Sequence, residues 1–269
     1  MSSSRERNDR KKAFSPRLEK GGKPRPQRGS APDSKDWLWG VHAVEAALAN
    51  AARPRPKRIL ASPDRARTLS RQFPNLAGVE IFESHDIGRQ LPQGAVHQGL
   101  ALKIDAPEAL SIEEIGSPAE GVLVMLDQLT DPQNVGAIFR SAAAFGARGI
   151  ILQDRNAPAL SGALAKAAVG AVDRLPHAAV VNLSRALETL AELGWKIVGL
   201  DGASDTTLEQ ALDGSPTVLV MGSEGEGLRR LVSEHCDVLA KIAMPGGFES
   251  LNVSNAAAIA LYEASKRRL

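Results

Sequence analysis

Three short stretches hold polar side chains whose types and spacing could do chemistry. "DPQNVGAIFR" places Asn134 at the start of an apolar segment and Arg140 six residues later. "MGSEGEGLRR" follows an apolar run and presents Glu224 among Gly222, Gly225 and Gly227. "GGFESLNVSNAAAIALYEASK" sets Ser250, Asn252, Ser254 and Asn255 in front of a helix. One side-chain oxygen is enough to cap the free N–H groups of a first turn. The surplus in the third stretch points to a held ligand. Glu224 at a helix entrance would repel a phosphate and suits a cation or a ribose hydroxyl; the plainer reading is a tight turn with a favourable acid near a helix N-terminus. Arg140 is costly to bury among Ile138, Phe139 and alanines unless paired. An anionic substrate would be such a partner, and a solvated or ion-paired arginine is the plainer reading.

The elements that must position these groups follow from periodicity. Val41, Val44 and Leu48 in "WGVHAVEAALANA" share one helical face. "KRILAS", "VEIFES" and "HQGLALKI" read as strands, with a basic helix from Pro63 to Phe73 between the first two. The acidic, two-proline stretch "DAPEALSIEEIGSPAEG" reads as a linker. From Gly121 onward, "GVLVMLD", "RGIILQ", "HAAVV", "WKIVGLD", "TVLVMGS" and "VLAKIAM" read as strands. Helices are expected between them at 134–146, 161–170, 183–193, 227–236 and 252–267. Near-continuous apolar strands alternating with helices imply an α/β fold with a parallel sheet covered on both faces. Ligands bind such sheets beyond the carboxyl ends of the strands, where all three polar stretches fall.

Composition narrows the classes. The chain has 269 residues, 43% of them hydrophobic, and a net charge of +2 that conceals an asymmetry. Residues 1–35 hold eleven Lys/Arg against four Asp/Glu, so the remainder is net acidic. That first segment is rich in Ser, Pro and Gly without apolar periodicity, and is expected to be a disordered basic tail. It reads equally as a solubilising tail or as an arm that binds nucleic acid through counterion release. No run approaches the roughly 20 apolar residues that span a bilayer, and no apolar stretch at the N-terminus makes a secretory signal. The single cysteine, Cys236, allows no internal disulfide and fits a cytoplasmic location. It reads as a small packed residue. The five histidines show no metal-ligand spacing, so no metal is expected. The dinucleotide and P-loop glycine fingerprints are absent.

In order and spacing, "NVGAIFRSAAAFG", "LVMGSEGEGL" and "IAMPGGFESLNVSNAAAIALYE" resemble the three motifs of the SpoU (TrmH-like) class of the SPOUT superfamily, the RNA ribose 2′-O-methyltransferases with a trefoil-knotted fold. Asn255 and Phe248 depart from common family residues without displacing a motif polar group. "WGVHAVEAAL" and "VHQGLAL" look like the L30e-like RNA-binding domain of 23S rRNA guanosine methyltransferases in this class. Between the disordered tail at 1–35 and the linker at 106–120, both read from composition, the resemblance implies an L30e-like domain at 36–105, and after the linker a SPOUT domain with a C-terminal trefoil knot at 121–269. It implies S-adenosylmethionine as cofactor, held by Gly222, Ile242 and Leu251 with Met244 beside them. Arg140 and Asn252 match positions assigned to catalysis, with Asn134, Glu224 and Ser250 around them. An unperturbed guanidinium is effectively always protonated. Arg140 is therefore expected to hold a phosphate and stabilise a developing alkoxide, and its activation as a base by Glu224 is the lesser reading. Ser250 and Asn252 would orient the hydroxyl and Arg140, while Ser254 caps the helix. The expected partners are RNA, 23S rRNA foremost, and a second copy of the chain through the knotted domain; no membrane is expected. A tRNA ribose methyltransferase and a non-catalytic RNA-binding protein remain the alternatives.

Overall fold

Apolar runs bounded by glycines and prolines build two sheets. The computed structural model describes residues 36–223, 225–246 and 250–267; the basic segment 1–35, Glu224 and Phe248 lie outside them. The chain begins with β1 (Trp37–Trp39), α1 (Val41–Ala49), β2 (Arg58–Ala61), α2 (Pro63–Gln72), β3 (Val79–Ile81), α3 (Ser84–Arg89) and β4 (Leu100–Lys103). These strands form a mixed sheet in the order β1-β4-β2-β3, with β4 antiparallel to both neighbours and β2 parallel to β3. The strand at Trp37 and the short α3 are additions to the sequence reading. Three residues are too few to show a period, and β1 exists because β4 pairs with it along its whole length.

After α4 (Ile112–Gly116) the chain alternates regularly through β5 (Val122–Leu126), α5 (Pro132–Ala144), β6 (Gly149–Gln153), α6 (Gly162–Ala168), β7 (His177–Val180), α7 (Leu183–Glu192) and β8 (Lys196–Leu200). It ends with α8 (Leu208–Ala211), β9 (Thr217–Met221), α9 (Arg230–Ser233), β10 (Val238–Ala240) and α10 (Val253–Lys266). All six strands are parallel, in the order β10-β8-β9-β5-β6-β7. β5 and β9 are buried at every position, because helices cover both faces. Val122, Val124 and Leu126 point into a core shared with α5, α6 and α10, while Leu123 and Met125 point into one shared with α4 and α7. Gly136 lets α5 and α6 touch: a Cβ there would lie 2.7 Å from the Ala167 methyl.

Both sheets belong to one compact unit. The segment 106–120, expected as a linker, is packed into it. Ser111 and Glu114 form a reciprocal cap on α4, and Ile112 and Ile115 are buried against the large sheet. The Trp195 indole N–H donates to the Gly116 carbonyl at 2.8 Å. Two isoleucines three apart are enough to hold one helical turn when a sheet face is waiting for them. α9 is four residues long, shorter than the helix expected at 227–236; Gly227 at φ +69 is left-handed and Arg229 is extended, so the helix begins only at Arg230.

Candidate active site at the carboxyl edge of the large sheet

Because the six strands are parallel, the loops after β5, β9 and β10 leave the same edge. The loop after β9 is a narrow turn in which Ser223 and Gly227 exchange backbone hydrogen bonds of 3.0 and 3.1 Å. A Cβ on Gly222 would overlap the backbone of Gly227 and Leu228, so this glycine is required by the turn itself. Gly225 and Gly227 have positive φ, and the space where their side chains would stand is open. Beyond β10, the backbone groups of Ile242, Ala243 and Met244 have no hydrogen-bond partner among the described residues. Ile242 and Met244 are half-buried and Leu251 is exposed. Free backbone donors and acceptors beside apolar side chains suit the edge of a neutral purine.

The first and third polar stretches meet. Asn134, in the first turn of α5, accepts at Oδ1 a 3.0 Å hydrogen bond from Nδ2 of Asn252, 118 residues away. Asn252 is the N-cap of α10, and its Oδ1 accepts from the backbone N–H groups of Ser254 and Asn255 and from the Ser254 hydroxyl. Three donors saturate that oxygen. The cap expected from Ser254 is therefore made by Asn252, with Ser254 as a donor to it. α5 has its own cap in Asp131, whose carboxylate accepts from the N–H groups of Gln133 and Asn134. Ser250 is exposed two residues before Asn252, and Glu224 lies outside the described residues.

Arg140 stands apart. Six residues of α-helix turn about 600° and rise about 9 Å, which places it about 120° around α5 from Asn134. It is exposed, so the burial cost expected from its apolar neighbours does not arise. Ile138 and Phe139 face the core instead. Arg140 shares its outward strip with Gln133, Ala137 and Ala144, and no carboxylate pairs with it among the described residues.

The sequence reading passed over Asp127, which closes the base of the glycine turn. Its backbone N–H donates to the Met221 carbonyl at 2.8 Å, where the turn begins. Its fully buried carboxylate accepts from Arg229 where the turn ends, at 2.9 Å from the backbone N–H and 2.7 Å from Nε. One residue thus staples both ends of the loop. The available signal was a carboxylate at the end of a fully apolar strand, since Asp is almost never buried unless paired. Cys236 is half-buried, and burial together with nearby Asp237 and Asp127 pushes its thiol up to about 12. It stays protonated and is no nucleophile.

The fold and this edge describe an α/β protein with a candidate ligand site on glycine-rich loops, and comparison with known proteins gives the class a name. Residues 121–262 match the SpoU rRNA Methylase family. The 23S rRNA (guanosine-2′-O-)-methyltransferase of Pseudomonas aeruginosa is 39% identical over 242 residues, covering 86% of this chain and 96% of that one. A tRNA/rRNA methyltransferase of Mycolicibacterium gilvum, itself uncharacterized, is 40% identical over 213 residues, 76% of this chain and 67% of that one. Among solved structures, the SpoU methyltransferase AviRb of Streptomyces viridochromogenes in complex with AdoMet aligns with a TM-score of 0.72 at 26% identity, over 86% of this chain and 90% of that one. The chain belongs to the SpoU rRNA methylase family. It is an RNA 2′-O-methyltransferase of that class and uses S-adenosylmethionine.

Proposed function

We propose that this enzyme methylates the ribose 2′-hydroxyl of a guanosine in 23S rRNA. The observation that carries the site assignment is the Asn252–Asn134 hydrogen bond, which joins two motif stretches beside the glycine turn. The relative from Pseudomonas aeruginosa, aligned along nearly its whole length, supports the rRNA target. When bound, S-adenosylmethionine supplies a methyl group on a good leaving group. Gly222, Ile242, Met244 and Leu251 would hold it through backbone groups and apolar contact.

The chain's own residues then align the acceptor and manage charge. Asn252 has no oxygen lone pair to spare for a substrate hydroxyl, so it acts by capping α10 and fixing the Asn134 carboxamide. Asn134, Ser250 and Glu224 orient the hydroxyl. Arg140, permanently cationic, holds the adjoining phosphate and stabilises the alkoxide as the proton leaves. Its position on an outward strip of small residues supports a site shared between two chains. α10 presents Ile259 and Tyr262 to solvent, and the Tyr262 ring packs at 5.9 Å from that of Phe145 at the end of α5. We take these helices as the two-fold dimer face of a knotted methyltransferase domain, with residues 36–105 as an L30e-like RNA-binding domain and the basic tail as an accessory arm.

Mapping 2′-O-methyl groups in RNA from cells lacking the protein tests the target. Loss at one 23S rRNA guanosine supports it, and loss confined to tRNA overturns it. Arg140→Ala should lower turnover about 10²- to 10³-fold while the fold and cofactor affinity are kept; near-normal turnover would make Arg140 structural. Mixed Arg140→Ala and Asn134→Ala chains should regain partial activity if the site is shared. Proven heterodimers without activity would place both residues in one chain's site.

A further inference from the structure

We propose that Lys166, Arg65 and Gln98 form a seat for a phosphodiester of the RNA substrate, on the seam between the two sheets. The proposal rests on the RNA reading above. Lys166 comes from α6 of the large unit, Arg65 from α2 of the small sheet, and Gln98 from the turn that leads into β4. All three meet at Gln98. Its side-chain Oε1 accepts from the Lys166 ammonium at 2.6 Å and from the Val41 N–H at 3.3 Å. Its backbone carbonyl accepts from Arg65 Nε at 3.2 Å.

Two features of this arrangement point outward. Gln98 has φ +55, a left-handed conformation that a side chain of its size rarely adopts. The chain thus accepts backbone strain to set the Gln98 side-chain oxygen against Lys166 and the Val41 N–H, and its backbone carbonyl against Arg65. A carboxylate there would balance the charge better, yet neither Lys166 nor Arg65 has one within ion-pair distance among the described residues. Burial without an acidic partner pushes the Lys166 ammonium below the usual lysine range. The lysine is also guided into place: its chain lies across Gly40, which has φ +89 and no room for a Cβ. Gln98 is exposed and Arg65 half-buried, so the cluster faces water and can be reached.

Two cations left unbalanced at an open seam are suited to an anion that arrives with the substrate. RNA is a polyanion with regularly spaced phosphates. A phosphate seated here would touch both sheets at once, and would align bound RNA between the small sheet and the transferase edge. Lys166 and Arg65 supply charge without reading a base, so the contact is sequence-independent.

The test compares the wild-type enzyme with Lys166→Gln, Arg65→Gln and Gln98→Glu across a salt series, using 23S rRNA transcript and tRNA as separate probes, with S-adenosylmethionine affinity measured alongside. Each charge-removing variant should lower the slope of log affinity against log salt by about 1 and weaken binding several-fold at low salt. Cofactor affinity should not change. Gln98→Glu is the discriminating variant, because it leaves both cations in place and gives the Lys166 ammonium an internal carboxylate partner. It should weaken RNA binding comparably while thermal stability is kept or raised, an outcome that a purely structural role would not produce. Unchanged slopes in all three variants, on whichever RNA the wild type binds, overturn the seat. Wild-type binding to tRNA alone would overturn the rRNA assignment instead, and the variant comparison on tRNA would still decide the seat.

Discussion

Two buried aspartates, each answered by an arginine, hold different parts of this enzyme in different ways. Asp173, after α6, takes a two-pronged grip from Arg53, with Nε at 2.6 Å and Nη2 at 3.2 Å, and a third bond from the Asn50 amide. The two side chains are 1% and 3% exposed, and Arg53 also donates to the Asp105 carbonyl at the end of the small sheet. Asp127 is just as buried, but its partner Arg229 is 41% exposed. The first pair locks the small sheet to the large one in a dry junction. The second staples the glycine turn with Arg229 partly in water. Burying both partners serves rigid attachment. Leaving one in water suits the proposed role of this loop in admitting and releasing a ligand.

The largest effect is expected at the dry junction. Arg53→Ala strands Asp173 in the interior, and breaking such a pair costs about 3–5 kcal/mol. Denaturant unfolding should show that loss. A change near zero would mean that water reaches Asp173 and the junction is not dry. Asp127→Asn should cost less, about 1–3 kcal/mol for weakened bonds to a charged acceptor, and should act mainly on function. Calorimetry should show S-adenosylmethionine affinity falling while the midpoint of unfolding moves less than for Arg53→Ala. If stability falls as far as for Arg53→Ala with cofactor affinity intact, Asp127 is a core residue rather than a loop staple.

A smaller effect separates the regions by pH. His177, buried beside the junction, has its pKa lowered, first by burial and then by the Arg53 charge. Its neutral form is favoured in the folded chain, so its contribution is full above the unfolded value near 6.5 and is lost as pH falls. His235, between α9 and β10, has its pKa raised, first by the hydrogen bond to Glu188 and then by the Leu231 carbonyl. Its contribution is present below about 6.5 and disappears as pH rises through the raised value. His177→Gln should therefore flatten acid sensitivity, whereas Glu188→Gln should weaken the protein most below pH 6.5 and progressively less as pH rises. Identical pH profiles for the two variants would show that neither histidine is coupled to folding.

Much of the architecture was legible because it is local. The apolar runs at 122–126 and 217–221 announce buried parallel strands, and Leu183, Ala186, Leu187 and Leu190 mark the inner face of α7. The three motif stretches, their glycines and their order also stand in the sequence, and with them the family. α4 was hidden in a stretch that reads as acidic and proline-rich. Its two isoleucines matter only because a sheet face lies against them.

What tertiary structure alone decided is which groups meet. Asn134 and Asn252 lie 118 positions apart, and no period connects them; parallel strands bring their helices to one edge. The surplus of polar groups before α10 was visible, but only the fold divides it, making Asn252 the cap and Ser254 its donor. The same holds for charge. Arg140 reads as a cation in an apolar helix, yet the turn of that helix sends Ile138 and Phe139 inward and the guanidinium out. Asp127 reads as the end of a strand and becomes a staple because Arg229, 102 residues on, folds back to it. Sequence periodicity records which face of an element is buried. The partner across that face depends on packing the whole chain, since hydrogen bonds and ion pairs act only at contact distance.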